Sequence, residues 1–227
     1  MDNNAWVNAL QKVFRVDVLN FLGSGLLHTM YIAATTIVLS FVFGTILGLL
    51  RQSKMAFFSQ LAAVYIETVR NIPLTLFIIA MRLMTKIPPL ESGIAAMTIF
   101  TSAIVAEIVR GGLNSVGKGQ WEAAYSQGFS WTGSLWYVII PQAVRRIRSP
   151  LVSQFVTTIK DTSFCALVGT YELSFTSKIV AAHRTMVTSE DIIVIYLLVT
   201  LTYYLINLVF ATIARHTREN AAKGMVR

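Results

Sequence analysis

Charge is scarce in this sequence, and cysteine is scarcer. Of 227 residues, only 13% are Asp, Glu, Lys or Arg, against roughly 25% in an ordinary soluble domain. The one cysteine, Cys165, excludes an internal disulfide and any multi-cysteine metal site. His28, His183 and His216 show no metal-ligand spacing. No G-x-x-x-x-G-K-[ST] stretch occurs, so the chain carries no phosphate-binding loop of that type. No nucleophile–base pair of recognisable spacing is present, which leaves a membrane enzyme as the remotest reading. A short signal-peptide core with a small-residue cleavage site is missing as well; the first apolar run is far longer and reads as an uncleaved span.

What fills the chain is apolar. Hydrophobic residues make up 55% and the mean hydropathy is +0.62, which predicts an all-α, multi-span membrane protein of one domain, residues 1–227. Val18 to Leu50 contains no Asp, Glu, Lys or Arg. A span needs about 20 apolar residues, so the first is expected at about 26–50. A second, 56–81, is interrupted by Glu67, Arg70 and Asn71-Ile72-Pro73; proline removes a donor and restrains the residue before it, so this helix is expected to be kinked or broken. Further spans are expected at 92–110, at 150–169 with Ser149-Pro150 as its start, and at 192–214. The polar segments 111–149 and 171–191 lie between them.

The basic residues fix an orientation. The segments Arg51–Lys54 and Arg110–Arg148 and the tail 215–227 hold 11 Lys and Arg, the opposite side six. By the positive-inside rule the N-terminus is outside and the tail cytoplasmic. That placement accounts for most of the net charge of +8, and a nucleic-acid partner is not required.

Several charges fall within expected spans. Lys160 lies about ten residues into its span, ~15 Å deep and near the middle of a ~30 Å core. A charge there costs about 2.5–3.5 kcal/mol on insertion scales, so it faces protein or a wet cavity. Asp161, its neighbour, diverges by about 100° around the helix. Asp161, Thr162 and Ser163 offer acceptors and hydroxyls to a ligand's ammonium or carboxylate; a structural role, for Lys160 above all, is the competing reading. Glu67 and Arg70, at i, i+3, are placed to pair on one helix face. Beside a proline break they suit either ligand contact or gating. Glu107 and Arg110 share that spacing near the cytoplasmic end and read as a gate or structural pair. Cys165 reads as a small buried hydrophobe, and Gly44-x-x-x-Gly48 as a candidate close helix contact.

One polar stretch is organised. Glu122 to Gln127 are good helix formers, Gly128 suits a left-handed helix end, Ser130 is placed to cap a second helix through Ile140, and Pro141 interrupts it. Two readings stand level: a docking hairpin for a partner, or an interfacial segment with Trp131, Trp136 and Tyr137 in the headgroups.

The stretch resembles the EAA loop of ABC importer permeases, E-A-A, three residues, Gly, nine residues, I-x-L-P. Here it stands as Glu122-Ala123-Ala124, Gly128 and Val138-Ile139-Ile140-Pro141. Val138 and Ile140 replace the pattern's Ile and Leu and keep its apolar character. Glu67-Thr68-Val69-Arg70-Asn71-Ile72-Pro73-Leu74, Ala106-Glu107-Ile108-Val109-Arg110-Gly111-Gly112, Gly119-Gln120-Trp121 and Lys160-Asp161-Thr162-Ser163 are similar to segments of the polar amino-acid branch of that family. The motifs follow in order from Glu67 to Ser163.

The resemblance implies a transmembrane permease subunit of an ATP-driven importer of polar amino acids, leaning to glutamate or glutamine, in a bacterial plasma (inner) membrane. Glu122, Ala123, Ala124, Gly128 and Pro141 would couple to a separate ABC ATPase dimer, which binds ATP and Mg; no cofactor is expected in this chain, which is not itself an enzyme. An identical or sister permease and an extracytoplasmic amino-acid-binding protein are the other implied partners. The alternative reading is an ion-coupled secondary transporter or channel using Lys160 and Asp161.

Overall fold

The computed structural model describes residues 3–183, 186 and 188–223. Of the tail 215–227, residues 224–227 lie outside it. Among the described residues every regular element is helical, as the apolar composition predicts. Ten α-helices follow in order: α1 Asn3–Val13, α2 Val16–Arg51, α3 Ala56–Arg70, α4 Leu74–Thr85, α5 Pro89–Asn114, α6 Lys118–Ser126, the single turn α7 Trp131–Gly133, α8 Ile140–Asp161, α9 Leu173–Ala181 and α10 Ser189–Lys223. A wider, π-helical stretch, Ser134–Ile139, joins α7 to α8, and a 3₁₀ helix, Thr162–Val168, follows α8.

The charge-free run becomes α2, 36 residues long and ~54 Å at 1.5 Å per residue, so the expected span 26–50 fits inside it. α2, α5 and Ser189–Ile213 of α10 are long and apolar enough to cross a membrane, and α3 with α4 makes a fourth candidate if taken as one broken span. The break falls at Asn71-Ile72-Pro73, as the proline predicts. The segment 150–169 is built differently from its expectation: it is the second part of α8 followed by the 3₁₀ turn. Pro150 does not start a helix. It lies inside α8, where its missing N–H forgoes a bond to the Arg146 carbonyl. The segment 171–191 is not all loop, because it contains α9. In the segment 111–149 the two helices expected on either side of Gly128 are present, as α6 before it and as α7, the π-helical stretch and the start of α8 after it.

The chain divides into two compact units. The first comprises Met1–Thr36, Leu74–Met97 and Val156–Thr212. One of its cores gathers Ala9 and Val13 of α1, Leu22, Leu173, Ile195 and Val199. Another gathers Ile32, Ile78, Ala96, Met97 and Cys165. Cys165 is fully buried with its Sγ 3.4 Å from Met97 Sδ, the small-hydrophobe role its position suggested.

The second unit comprises Ile37–Pro73, Thr98–Phe155 and Ile213–Arg227. Its core is a seam of Val105, Val109 and Leu113 with Leu135, Ile139, Ala143, Ile147 and Leu151. Gly44 and Gly48 face α5 closely. A Cβ on Gly44 would stand 2.7 Å from the Ser102 carbonyl oxygen, and one on Gly48 2.8 Å from that of Ala106. Helices approach this way when a side chain is absent at the crossing. Tyr65 ties α3 to α5 through its hydroxyl, 2.9 Å from both the Ile99 carbonyl and Ser102 Oγ.

Candidate functional site

The segment carrying Glu122 is a helical hairpin in the second unit. α6 begins at Lys118, four residues before the acid, and ends at Ser126. Gly128 then adopts φ +83°, a conformation that costs an L side chain roughly 1–2 kcal/mol. Its N–H donates to the Tyr125 carbonyl (2.9 Å) and that of Phe129 to the Ala124 carbonyl (3.1 Å). This paired closure is a Schellman motif, and it answers two of the carbonyls a helix end leaves open. Ser130 accepts the Gly133 N–H at 3.2 Å, the capping its position predicts. Pro141 does not end the second helix: it sits exposed in the first turn of α8, where the missing N–H is tolerated after a wide π turn.

The two alanines part company. Ala124 is buried, while Glu122 and Ala123 are exposed. One face of α6 therefore packs inward and the other presents an acid and a bare methyl. The inward side is aromatic. Trp121 stacks on Trp131, with ring centroids 6.3 Å apart, and Lys54 lies 5.8 Å over the Trp131 ring. Trp131 is thus half-buried in the hairpin, while Trp136 and Tyr137 are exposed.

The four charged residues around the α3 break also belong to the second unit, but they pair differently from expectation. Glu107 and Arg110 form the expected bridge, a two-pronged contact at 2.9 and 2.5 Å. Glu67 and Arg70 do not pair. Arg70 reaches across to Glu107 Oε2 at 3.8 Å, and Glu67 has no ion pair among the described residues. Tertiary approach of α3 to α5 overrides the local i, i+3 preference, which is worth only about 0.2–0.5 kcal/mol.

Lys160, Asp161, Thr162 and Ser163 belong to the first unit, where α8 passes into the 3₁₀ turn. Lys160 is exposed and Asp161 half-buried; no hydrogen bond or ion pair occupies the Asp161 carboxylate among the described residues. Thr162 is fully buried and donates to the Ile159 carbonyl, and Ser163 donates to that of Lys160, each at 2.8 Å. Of the four, Asp161 and Lys160 are the ones with charge left to offer.

A residue that sequence reasoning passed over organises the same unit. Glu172 is fully buried and caps α9, accepting from the backbone N–H groups of Ser174 (2.9 Å) and Phe175 (2.7 Å). The Tyr203 hydroxyl of α10 donates to it at 2.8 Å and Thr29 of α2 at 3.4 Å. Thr29 in turn accepts the Leu173 N–H at 3.0 Å. Burial pushes the Glu172 carboxyl above its ordinary range, and these hydrogen bonds pull it back. The only local signal was an acid two residues before Ser174 and three before Phe175.

Comparison with known proteins adds the following. Residues 40–219 match the family described as binding-protein-dependent transport system inner membrane component. The chain is 41% identical over 202 residues to the probable glutamine ABC transporter permease protein GlnP of Bacillus subtilis (strain 168), covering 87% of this chain and 92% of that one. It is 36% identical over 157 residues to the glutamate transport system permease protein GluD of Corynebacterium glutamicum, covering 66% of this chain and 58% of that one. Among solved structures it resembles an amino acid ABC transporter crystallised with histidines, with a TM-score of 0.82 and 27% identity over 90% of this chain and 96% of the other.

Proposed function

The chain belongs to the family of binding-protein-dependent transport system inner membrane components, and from that premise we propose that it is the permease of an ATP-driven importer of polar amino acids, with glutamine or glutamate as cargo. It is a membrane subunit of amino-acid ABC transport type. The cargo reading is supported by the names of its relatives and by the Arg70-Asn71-Ile72-Pro73-Leu74 stretch.

The observation that carries the mechanism is the α6 hairpin. A short helix with an exposed acid and methyl, closed by a left-handed glycine and backed by stacked indoles, is a rigid knob. It suits seating in a groove of a separate ABC ATPase dimer, which would hold the ATP and Mg. Glu122, Ala123 and Gly128 would meet that partner, with Ala124 packed inward behind them and Pro141 exposed in the first turn of α8 beside the hairpin's second arm. The N-terminus lies outside and the hairpin in the cytoplasm, with five spans at about 26–50, 56–81, 92–110, 150–169 and 192–214. A second permease, identical or a sister, completes the pathway, and an extracytoplasmic binding protein delivers substrate.

Within the pathway, the half-buried and unpaired Asp161 is the anchor for the substrate's α-ammonium group. Thr162 and Ser163 shape the turn that holds it. Glu107 and Arg110 brace the inner end, and alternating access follows from the ATPase closing on the two α6 knobs.

The test is Gly128→Asp. We expect normal membrane insertion, loss of the co-purifying ATPase and loss of uptake. Uptake at the wild-type rate by that variant would remove α6 from the coupling, and uptake by this chain alone under an ion gradient would favour a secondary transporter.

A further inference from the structure

α1 is too short to cross a membrane, and the protein covers only one side of it. Its 11 residues reach ~16 Å at 1.5 Å per residue, against a hydrocarbon core of about 30 Å. Three faces run along it. Ala9 and Val13 are buried in the core shared with Leu22, Leu173 and Ile195, and Trp6 packs against the same core. Asn4, Asn8 and Gln11 are exposed and fall within about 60° of one another at 3.6 residues per turn. Val7, Leu10 and Phe14 fill a second arc of about 60°, with 52%, 46% and 53% of their surface open. Phe14 keeps the helical register beyond Val13, because its N–H donates to the Leu10 carbonyl at 2.9 Å. A surface helix in water turns one apolar face to the core and polar faces elsewhere. α1 has an outside that is half polar and half apolar.

The charges beside α1 mark its level. Arg15, two residues past the helix, pairs with Asp17 at 3.1 Å, and the charge-free run Val18–Leu50 begins directly after. Lys12 pairs with Asp191 at 2.8 Å, in the first turn of α10, and a second charge-free run, Ile192–Ala214, begins directly after that acid. Asp191 is fixed by reciprocal bonds with Thr188, both 3.2 Å: its carboxylate accepts the Thr188 N–H, and its own N–H donates to Thr188 Oγ1. Two spans thus carry their last charges at the same end of α1. Ion pairs belong in water or headgroups and charge-free runs in hydrocarbon, so α1 stands at the boundary. The exposed apolar surface goes on from there, with Val16 and Leu19 at the start of α2 and Ile192 and Ile193 at the start of α10. The Val7–Leu10–Phe14 stripe belongs with that lipid-facing surface, and the asparagine arc with the water beside it.

We infer that α1 is an interfacial helix: it lies along the outer surface of the bilayer, with Val7, Leu10 and Phe14 seated among outer-leaflet lipids, Asn4, Asn8 and Gln11 in water, and Ala9 and Val13 on the protein. Amphipathic helices rest at an interface in this way. Through Lys12–Asp191 and the Arg15–Asp17 junction, α1 sets the outer ends of α10 and α2 at one depth. That the surface is the outer one rests on the orientation proposed above; that the stripe meets lipid does not.

The experiment uses the permease with its partners in lipid nanodiscs, with single cysteines carrying a nitroxide. Cys165, fully buried, is replaced in the background by Cys165→Ala. Power saturation compares collisions with oxygen, which concentrates in lipid, and with NiEDDA, which stays in water. At Val7→Cys, Leu10→Cys and Phe14→Cys we expect oxygen collisions to exceed those with NiEDDA, and at Asn4→Cys, Asn8→Cys and Gln11→Cys the reverse. NiEDDA ahead at the three apolar positions would overturn the inference and leave that face in water. Immobilised spectra there, with neither reagent colliding, would overturn it by giving the face to a second permease or the binding protein. In spheroplasts, a membrane-impermeant maleimide is expected to label Asn4→Cys and Asn8→Cys from outside. Labelling only after lysis would overturn the outward orientation, while the collision data would still decide whether the stripe meets lipid.

Discussion

Glu172 and Glu107 are the same side chain put to opposite uses. The first unit seals Glu172 away from solvent and surrounds it with neutral donors: two backbone N–H groups, a tyrosine and a threonine. The second leaves Glu107 partly exposed and surrounds it with arginines. Directional hydrogen bonds in a dry place fix one geometry, because leaving any donor unmet costs about 1–3 kcal/mol. Half-wet ion pairs fix little, because water and neighbouring charges substitute for a lost partner. A carboxylate can therefore be a rivet or a handhold, and its surroundings decide which.

Glu172→Ala breaks the rivet. It strands two N–H groups at the start of α9 and leaves the Tyr203 hydroxyl only Ser174 Oγ, at 3.2 Å, and we expect about 3 kcal/mol of lost stability, seen as a large fall in the thermal midpoint of the detergent-purified chain. A midpoint within error of the wild type would mean that α9 is not held this way. Gly25→Ala probes the same place by crowding. A Cβ there would overlap Thr176 Oγ1 and stand 3.1 Å from the Glu172 carbonyl oxygen, and overpacking of that kind costs about 1–3 kcal/mol. Gly23→Ala is its control: nothing lies within 4 Å of the added methyl, and a helical glycine gains about 0.5–1 kcal/mol on becoming alanine. If both glycine variants melt alike, close approach of α2 and α9 is not what Gly25 provides. At the other end of the scale, Arg70→Gln is expected to change stability by less than about 1 kcal/mol while slowing uptake; a stability loss as large as that of Glu172→Ala would erase the contrast.

What the sequence disclosed follows the same division between local and distant. The all-α membrane class was legible because charge-free runs of this length have few other solutions. The α6 hairpin was legible because a helix end, a left-handed glycine and a serine cap are settled by neighbours in the chain. Glu107–Arg110 was legible for the same reason. Glu67 and Arg70 carry the same spacing and did not pair, since the deciding contact comes from α5 and no spacing reports it. Ser149-Pro150 reads as a helix start only if no helix is already running, and α8 arrives there from Ile140. Glu172 was invisible because the two side chains that hold it in the core are remote: Thr29 stands 143 positions away and Tyr203 31.

Those separations set a timetable for biogenesis. As the chain leaves the ribosome, Thr29 is made early, Glu172 much later and Tyr203 last. Until α10 is in place, the carboxylate lacks its tyrosine and α9 its third wall. A nine-residue helix is too short to hold itself together meanwhile. The first unit is therefore finished only when its last helix arrives, and an interrupted synthesis leaves an open acid at its centre.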